Sequence, residues 1–179
     1  MSTPCCTEER HVFVMEGQYG GEGGLFSLGK NGNLVIVAMD GEMVHTERGM
    51  ELARLSIVDW ELNTLLDEWI SPAHPIIDYN TRYSGVTAEK LQDAISMAEL
   101  RDKLRMILGQ HTIIVGHSID NDLWSLGLIH SRVIDTAHLF KLAHDNTPGL
   151  RALTRLHLGE SIQGGSDGHD SVEDARSTM

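Results

Sequence analysis

Cysteine is nearly absent from this sequence: Cys5 and Cys6 are the only two, and they are neighbours. Adjacent cysteines cannot staple distant parts of a fold and lack the spacing of zinc ligands, which points to a reducing, intracellular compartment. Long apolar runs are missing as well. None approaches the roughly 20 residues that span a bilayer, so no membrane partner is expected. The opening MSTPCCTEERHVF has no basic stretch followed by an apolar one, and no secretory leader is read there. Positive charge is scarce: 14 Lys+Arg stand against 26 Asp+Glu, for a net charge of −12. That balance argues against tight, non-specific binding of long nucleic acids, whose affinity comes mostly from Lys and Arg paired with phosphates. It does not exclude an enzyme that holds a few nucleotides at one chain end, where divalent cations supply the positive charge.

What is present is ordinary for a globular protein. The chain has 179 residues, 41% hydrophobic and 22% charged, enough for one domain with a real core. Residues 1–33 differ from the rest. Residues 17–32 are rich in glycine and read as a flexible tail or irregular loop, with short strands possible at 11–15 and 25–28. A regular domain is expected over 34–179. It begins with the continuous apolar run LVIVAM (34–39), the signature of a strand buried on both faces. Two further strands are predicted at 50–60 and 65–70, then an ordered loop over 71–83 containing Pro72 and Pro75. Thr87 is placed to cap a helix with Glu89 in its first turn. Helices follow at 96–108, 120–126, 136–143, 150–157 and 171–179, with strands at 112–115 and 133–134 between them. Three strands followed by alternating helices and strands give an α/β fold, a mixed sheet covered by helices.

Chemistry-bearing residues gather at three places. Asp40-Gly41-Glu42 is expected at the end of the first buried strand, where residues i and i+2 share a face and both carboxylates project together. Paired carboxylates repel unless a cation neutralises them, and such hard oxygens suit Mg²⁺ or Mn²⁺. Alone the triplet is weak and equally describes a solvated strand end. The second place is GHSIDND (116–122), where a strand gives way to a helix, the position at which open α/β sheets hold ligands. Asp122 falls in that helix's first turn, although a simple cap by Ser118 or Asp120 explains the segment as well. The third is GHDSVEDA (168–175), with His169 in a loop and Asp174 one turn into the last helix. From there an imidazole can take a proton from an attacking water near neutral pH.

Decoys can be set aside. Asp120 and Asp122 begin like a calcium loop, but Trp124 stands where an oxygen ligand belongs and the loop glycine is missing. Neighbouring His169, Asp170 and Ser171 cannot form a hydrolytic relay. Residues 24–30 have the G-x₄-G-K spacing of a phosphate loop, yet Asn31-Gly32-Asn33 follows where Ser or Thr and a helix are required.

The order and placement of five blocks, at 38–43, 78–87, 115–123, 133–136 and 168–175, resemble the DEDDh 3′→5′ exonucleases of the RNase H-like superfamily. More narrowly, they are similar to the RNA exonuclease subgroup of the REXO and interferon-stimulated type. The resemblance spans roughly residues 34–179. It implies an RNase H-like mixed sheet and two divalent metal ions, Mg²⁺ or Mn²⁺. It also implies release of nucleoside monophosphates from the 3′ end of single-stranded RNA, with DNA as an alternative. Asp40 would bridge both ions, Glu42 and Asp174 would hold one, Asp122 would serve the other, and His169 would be the general base. Met43 and Val44 would meet the terminal base and sugar, Arg82 would be the cation nearest phosphate or sugar, and His117 would line the substrate site. Family members are often nuclear or nucleolar.

Two departures from the family pattern stand out. Gly41 replaces the usual Cys, with an expected effect limited to lost packing on the side away from the metals. The last helix is expected to be truncated, since relatives continue well beyond its final Asp. A catalytically inactive RNA- or protein-binding module that keeps the fold is the competing expectation.

Overall fold

The computed structural model describes residues 13–14, 36–140, 147–165 and 168–179. The glycine-rich stretch and the possible strand at 25–28 lie outside them, as do 141–143 of the expected fourth helix. Of the N-terminal extension, Phe13–Val14 (β1) forms a strand parallel to Leu128–Ile129 (β7).

The main sheet is built from β2 (Ile36–Thr46), β3 (Gly49–Asp59), β4 (Thr64–Trp69), β5 (Ile76–Asp78), β6 (Ile113–Gly116) and β8 (Val133–Asp135). Its order is β4-β3-β2-β6-β8, with β5 paired to the far end of β2. The first three strands are antiparallel hairpins, whereas β6 and β8 join in parallel, so the sheet is mixed as expected. The helices are α1 (Thr81–Ser84), α2 (Met97–Ile107), α3 (Asp120–Leu126), α4 (Thr136–Leu139), α5 (Leu150–His157) and α6 (Ser171–Thr178). Among the described residues no helix is long and apolar enough to cross a membrane.

Strand alternation sorts β2 between two cores. Val37 and Met39 face a large apolar cluster with Leu100 and Leu104 of α2 and Leu126 of α3. Ala38 faces the opposite way, onto Val58, Val115 and Ala175 of α6. Asp40 and Glu42 continue the Ala38 row, and therefore lie on the α6 side of the sheet.

Three expectations need correction. β2 does not stop at the carboxylates; it runs nine pairs past Val37↔Asp59 to reach Thr46↔Gly49, with a register shift after Glu42 that leaves Ala53 of β3 unpaired, so Asp40 and Glu42 stand mid-strand. Thr87 does not start a helix. Residues 88–93 form turns, with Gln92 N–H bonded to Glu89 O, while Lys90 Nζ reaches back to Gly85 O. The expected loop over 71–83 contains β5 and begins α1, both too short to leave a periodic signal.

Candidate active site

The site arises from a notch in the sheet. β3 pairs along one whole edge of β2, but on the other edge β6 covers only Ile36–Ala38 and β5 only His45 and Thr46. The intervening edge, from Met39 to Val44, meets no strand among the described residues. α3 enters here, and the N–H of Gly41 donates to the Asp122 carboxylate. Neither Ser118 nor Asp120 caps α3. Its entry is held instead by Asp135, whose carboxylate accepts the N–H groups of Ser118 (2.9 Å) and Ile119 (3.2 Å). Burial works against ionisation of Asp135, but those bonds and one from Ala137 keep its carboxyl below the ordinary range.

α6 closes the site over the opposite side. Asp170 caps it by accepting from Val172 N–H, which places Asp174 in its first turn. Ser171 and Ser56 of β3 share a buried hydrogen bond of 2.6 Å. Arg54, paired across the strands with Glu42, makes a two-pronged bond to Asp67 (2.8 and 3.0 Å) and a 3.2 Å ion pair with Asp170. Its guanidinium also lies over the Trp69 ring at 4.9 Å. The helix is short, yet Asp174, Ala175 and Thr178 are all buried.

The loop before α6 is docked on α1. Gly168 adopts φ +91°, and a Cβ there would lie 2.2 Å from Gly85 N, so only glycine fits. His169 then donates its N–H to Tyr83 O at 2.6 Å. Its ring meets Tyr83 edge to face, with centroids 6.4 Å apart, and its Nδ1 lies 4.0 Å from Asp174 Oδ2.

Four carboxylates thus converge with little positive charge around them. Burial raises Asp40 well above the ordinary range, and the charges of Asp122, Asp174 and Glu42 add to it against Arg54. Burial and Asp174 push Glu42 up to about 9. Asp122 is pushed up to about 7 by burial, and burial also raises Asp174. Glu42 Oε1 and Asp174 Oδ1 are buried and find no hydrogen-bond partner among the described residues. Orphaned acceptors of this kind in a hard-oxygen cluster fit a divalent cation. Among the described residues no group of three or more His, Cys, Asp or Glu side chains is arranged to hold an ion.

The remaining expected residues divide. Arg82 is exposed, its guanidinium 5.6 Å from the ring of Tyr83, which in turn meets His169. Met43 is partly buried against the main core. Val44, in the same row of β2 as Asp40 and Glu42, is fully buried with Ala53 and Val86. His117 belongs to a different network, with Nδ1 3.0 Å from Thr136 Oγ1 and burial holding its ring below the ordinary range.

Comparison with known proteins settles the family. Residues 37–179 match the RNase_T exonuclease family. The chain belongs to this family. Among its relatives, exonuclease GOR of Pan troglodytes is 41% identical over 147 residues, 80% of this chain and 21% of that protein. RNA exonuclease 1 of Saccharomyces cerevisiae is 39% identical over 153 residues, 83% of this chain and 27% of that protein. The chain therefore spans about a quarter or less of the length of such relatives. The exonuclease fold expected from the sequence is also the fold of the Neurospora crassa Pan2 catalytic unit (protease and nuclease domain). That structure superposes with a TM-score of 0.73 at 27% identity, over 80% of this chain and 26% of that one. A Saccharomyces cerevisiae Pan2 pseudoubiquitin hydrolase–RNA exonuclease module in complex with AAGGAA RNA gives 0.71 at 27% identity, over 80% and 27%.

Two functional candidates escaped the sequence reading. Arg54 sits inside an apolar strand, and its place opposite Glu42 is set by register, which no local pattern reveals. Gln163, whose amide donates to Asp174 Oδ2 at 2.8 Å, follows α5 in a loop. Its only signal was a polar residue just before the Gly164-Gly165 pair.

Proposed function

We propose that this chain is a 3′→5′ exonuclease that releases nucleoside 5′-monophosphates from single-stranded RNA using two divalent metal ions. The observation that supports it best is the pair of buried, partnerless oxygens, Glu42 Oε1 and Asp174 Oδ1, within a cluster that includes Asp40 and Asp122. When bound, Mg²⁺ or Mn²⁺ would neutralise these carboxylates and stabilise the attacking and leaving oxygens of an in-line phosphoryl displacement. Asp40, central to the cluster, would bridge the ions; Glu42 and Asp174 would hold one and Asp122 the other.

The residues around them supply the rest. His169 turns Nδ1 toward Asp174, which leaves Nε2 to accept a proton from the water that attacks the terminal phosphorus. The phosphorus–O3′ bond breaks, and the departing 3′ oxygen takes up a proton from solvent. The exposed Tyr83 ring lies against His169 and Arg82 against Tyr83, offering a face for a base and a cation for phosphate or sugar. RNA is favoured over DNA because two of the relatives are named RNA exonucleases and the Pan2 module was solved with RNA. The family resemblance favours an intracellular site of action, nuclear or nucleolar, with the cytoplasm as the alternative.

The test is a time course on 5′-labelled single-stranded RNA and matched DNA, with free or blocked 3′ ends, in Mn²⁺, Mg²⁺ or EDTA. A one-nucleotide ladder that needs metal and a free 3′ hydroxyl is expected, faster on RNA. Failure of a folded preparation to produce a ladder with any metal would instead favour a binding module that retains the fold.

A further inference from the structure

The two oxygens of Asp174 have different surroundings. Oδ1 is buried and has no partner, whereas Oδ2 accepts a 2.8 Å hydrogen bond from Gln163 Nε2. Gln163 is itself held for this task. Ile162 before it is buried, its own N–H donates to Glu173 Oε2 at 2.9 Å, and its backbone takes the left-handed conformation at φ +56°. A residue without glycine's freedom seldom adopts that conformation unless its surroundings demand it.

Building on the two-metal reading of the site, we infer that Gln163 is a positioning residue for Asp174: its amide secures Oδ2 so that Oδ1 is the oxygen offered to the cation. The chemistry explains why an amide serves here. It donates a hydrogen bond without adding another negative charge to a cluster of four carboxylates. A carboxylate at the same position would accept where a donor is needed and would repel Asp174. A hydrogen-bonded carboxylate ligand loses less freedom on meeting an ion, and losing such an outer partner typically costs about 10–100-fold in metal affinity or activity.

The helix does not depend on this contact for its place. α6 is fixed independently by the Ser56–Ser171 hydrogen bond, the Arg54–Asp170 ion pair and its own Asp170 cap. Removing the amide therefore changes how Asp174 is presented while leaving α6 on the sheet.

The experiment is calorimetric titration of the metal-free chain with Mn²⁺ in the absence of RNA, paired with thermal melts in EDTA. It compares wild type with Gln163→Ala, the nearly isosteric Gln163→Glu, and Asp174→Asn. Gln163→Ala is expected to weaken Mn²⁺ binding about 10–100-fold with an unchanged melt in EDTA, and Gln163→Glu to weaken it at least as much. In single-turnover assays Gln163→Ala should need more Mn²⁺ for half-maximal rate, while KM for RNA at saturating metal stays the same. If Asp174→Asn weakens Mn²⁺ binding and Gln163→Ala does not, the positioning role is wrong and the site stands. If Gln163→Ala lowers the EDTA melt and the affinity together, the residue is structural and the inference is overturned. If Asp174→Asn binds Mn²⁺ like wild type, the metal site itself is misassigned and this inference falls with it.

Discussion

Asp122 presses against Gly41 so closely that a Cβ at position 41 would lie 2.5 Å from Asp122 Oδ1 and 2.7 Å from Leu52 Cδ1. The side of β2 facing away from Asp40 and Glu42 is thus no spectator. The sequence predicted only lost packing there, as for a residue pointing away from the metals. The structure instead puts a candidate ligand over the glycine, bonded to its N–H.

Gly41→Ala should therefore dislodge Asp122 or Leu52 from a crowded spot. Overpacking of this kind typically costs about 1–3 kcal/mol. Denaturant melts in EDTA should show a loss of that order. A melt equal to wild type would mean that Asp122 does not occupy that space in solution.

Arg54 offers a second test. Replacing it with Met leaves Asp67 and Asp170 without their shared cation and removes the charge that opposes the rise of Asp40 and Glu42. Because Asp67 and Asp170 are partly exposed, the expected loss is about 2 kcal/mol, less than for a fully buried pair. Arg54→Lys should recover under half of it, since an ammonium cannot make the two-pronged bond. Equal stability of all three proteins in a urea series would remove Arg54 from the account.

Much of this was legible in the sequence, and the failures have a common cause. The apolar run before Asp40, the helix expected over 96–108 and the position of Asp122 in α3 depend on short-range patterns, and the structure reproduces them. The capping box at Ser96 and Glu99 is complete. Arg54, Gln163, Asp135 and the true surroundings of Gly41 and Val44 depend on which elements neighbour β2 and on its register with β3. Those are long-range facts, and a one-residue change of register would exchange the faces of every side chain involved.

Stability should depend on pH in a direction set by the raised carboxylates. Burial and Asp174 push Glu42 up to about 9 in the folded protein, far above the ordinary carboxylate range, and Asp40 is raised as well. The folded state then holds protons that the unfolded chain releases, so stability falls as pH rises through that interval. Asp67 and Glu51 are lowered by their hydrogen bonds, so the stability they contribute is lost as pH falls and does not oppose a decline on the alkaline side. Thermal melts in EDTA should decline from pH 6 to 9, and saturating Mg²⁺ should flatten the decline. The same slope with and without Mg²⁺ would contradict a cation-neutralised cluster.

Gly168 tests the placement of His169. Alanine there would force its Cβ into Gly85 at a backbone angle that disfavours any side chain. His169 should lose its seat on α1, and kcat should fall on the order of 10²-fold, as misplacing a catalytic group commonly does. Mn²⁺ affinity, read by calorimetry, should change little because His169 is assigned no ligand role. Wild-type kcat in this variant would show that docking on α1 does not position the base.

The most direct measurement compares Asp40→Asn with wild type, scoring both the ladder from 5′-labelled RNA in Mn²⁺ and the melt in EDTA. Asn keeps the shape of Asp40 while removing the charge that its buried surroundings resist. The account predicts that the ladder disappears while the EDTA melt holds steady or rises. A persistent ladder from Asp40→Asn, in a preparation free of wild-type protein, would contradict the assignment of this carboxylate cluster as the catalytic centre.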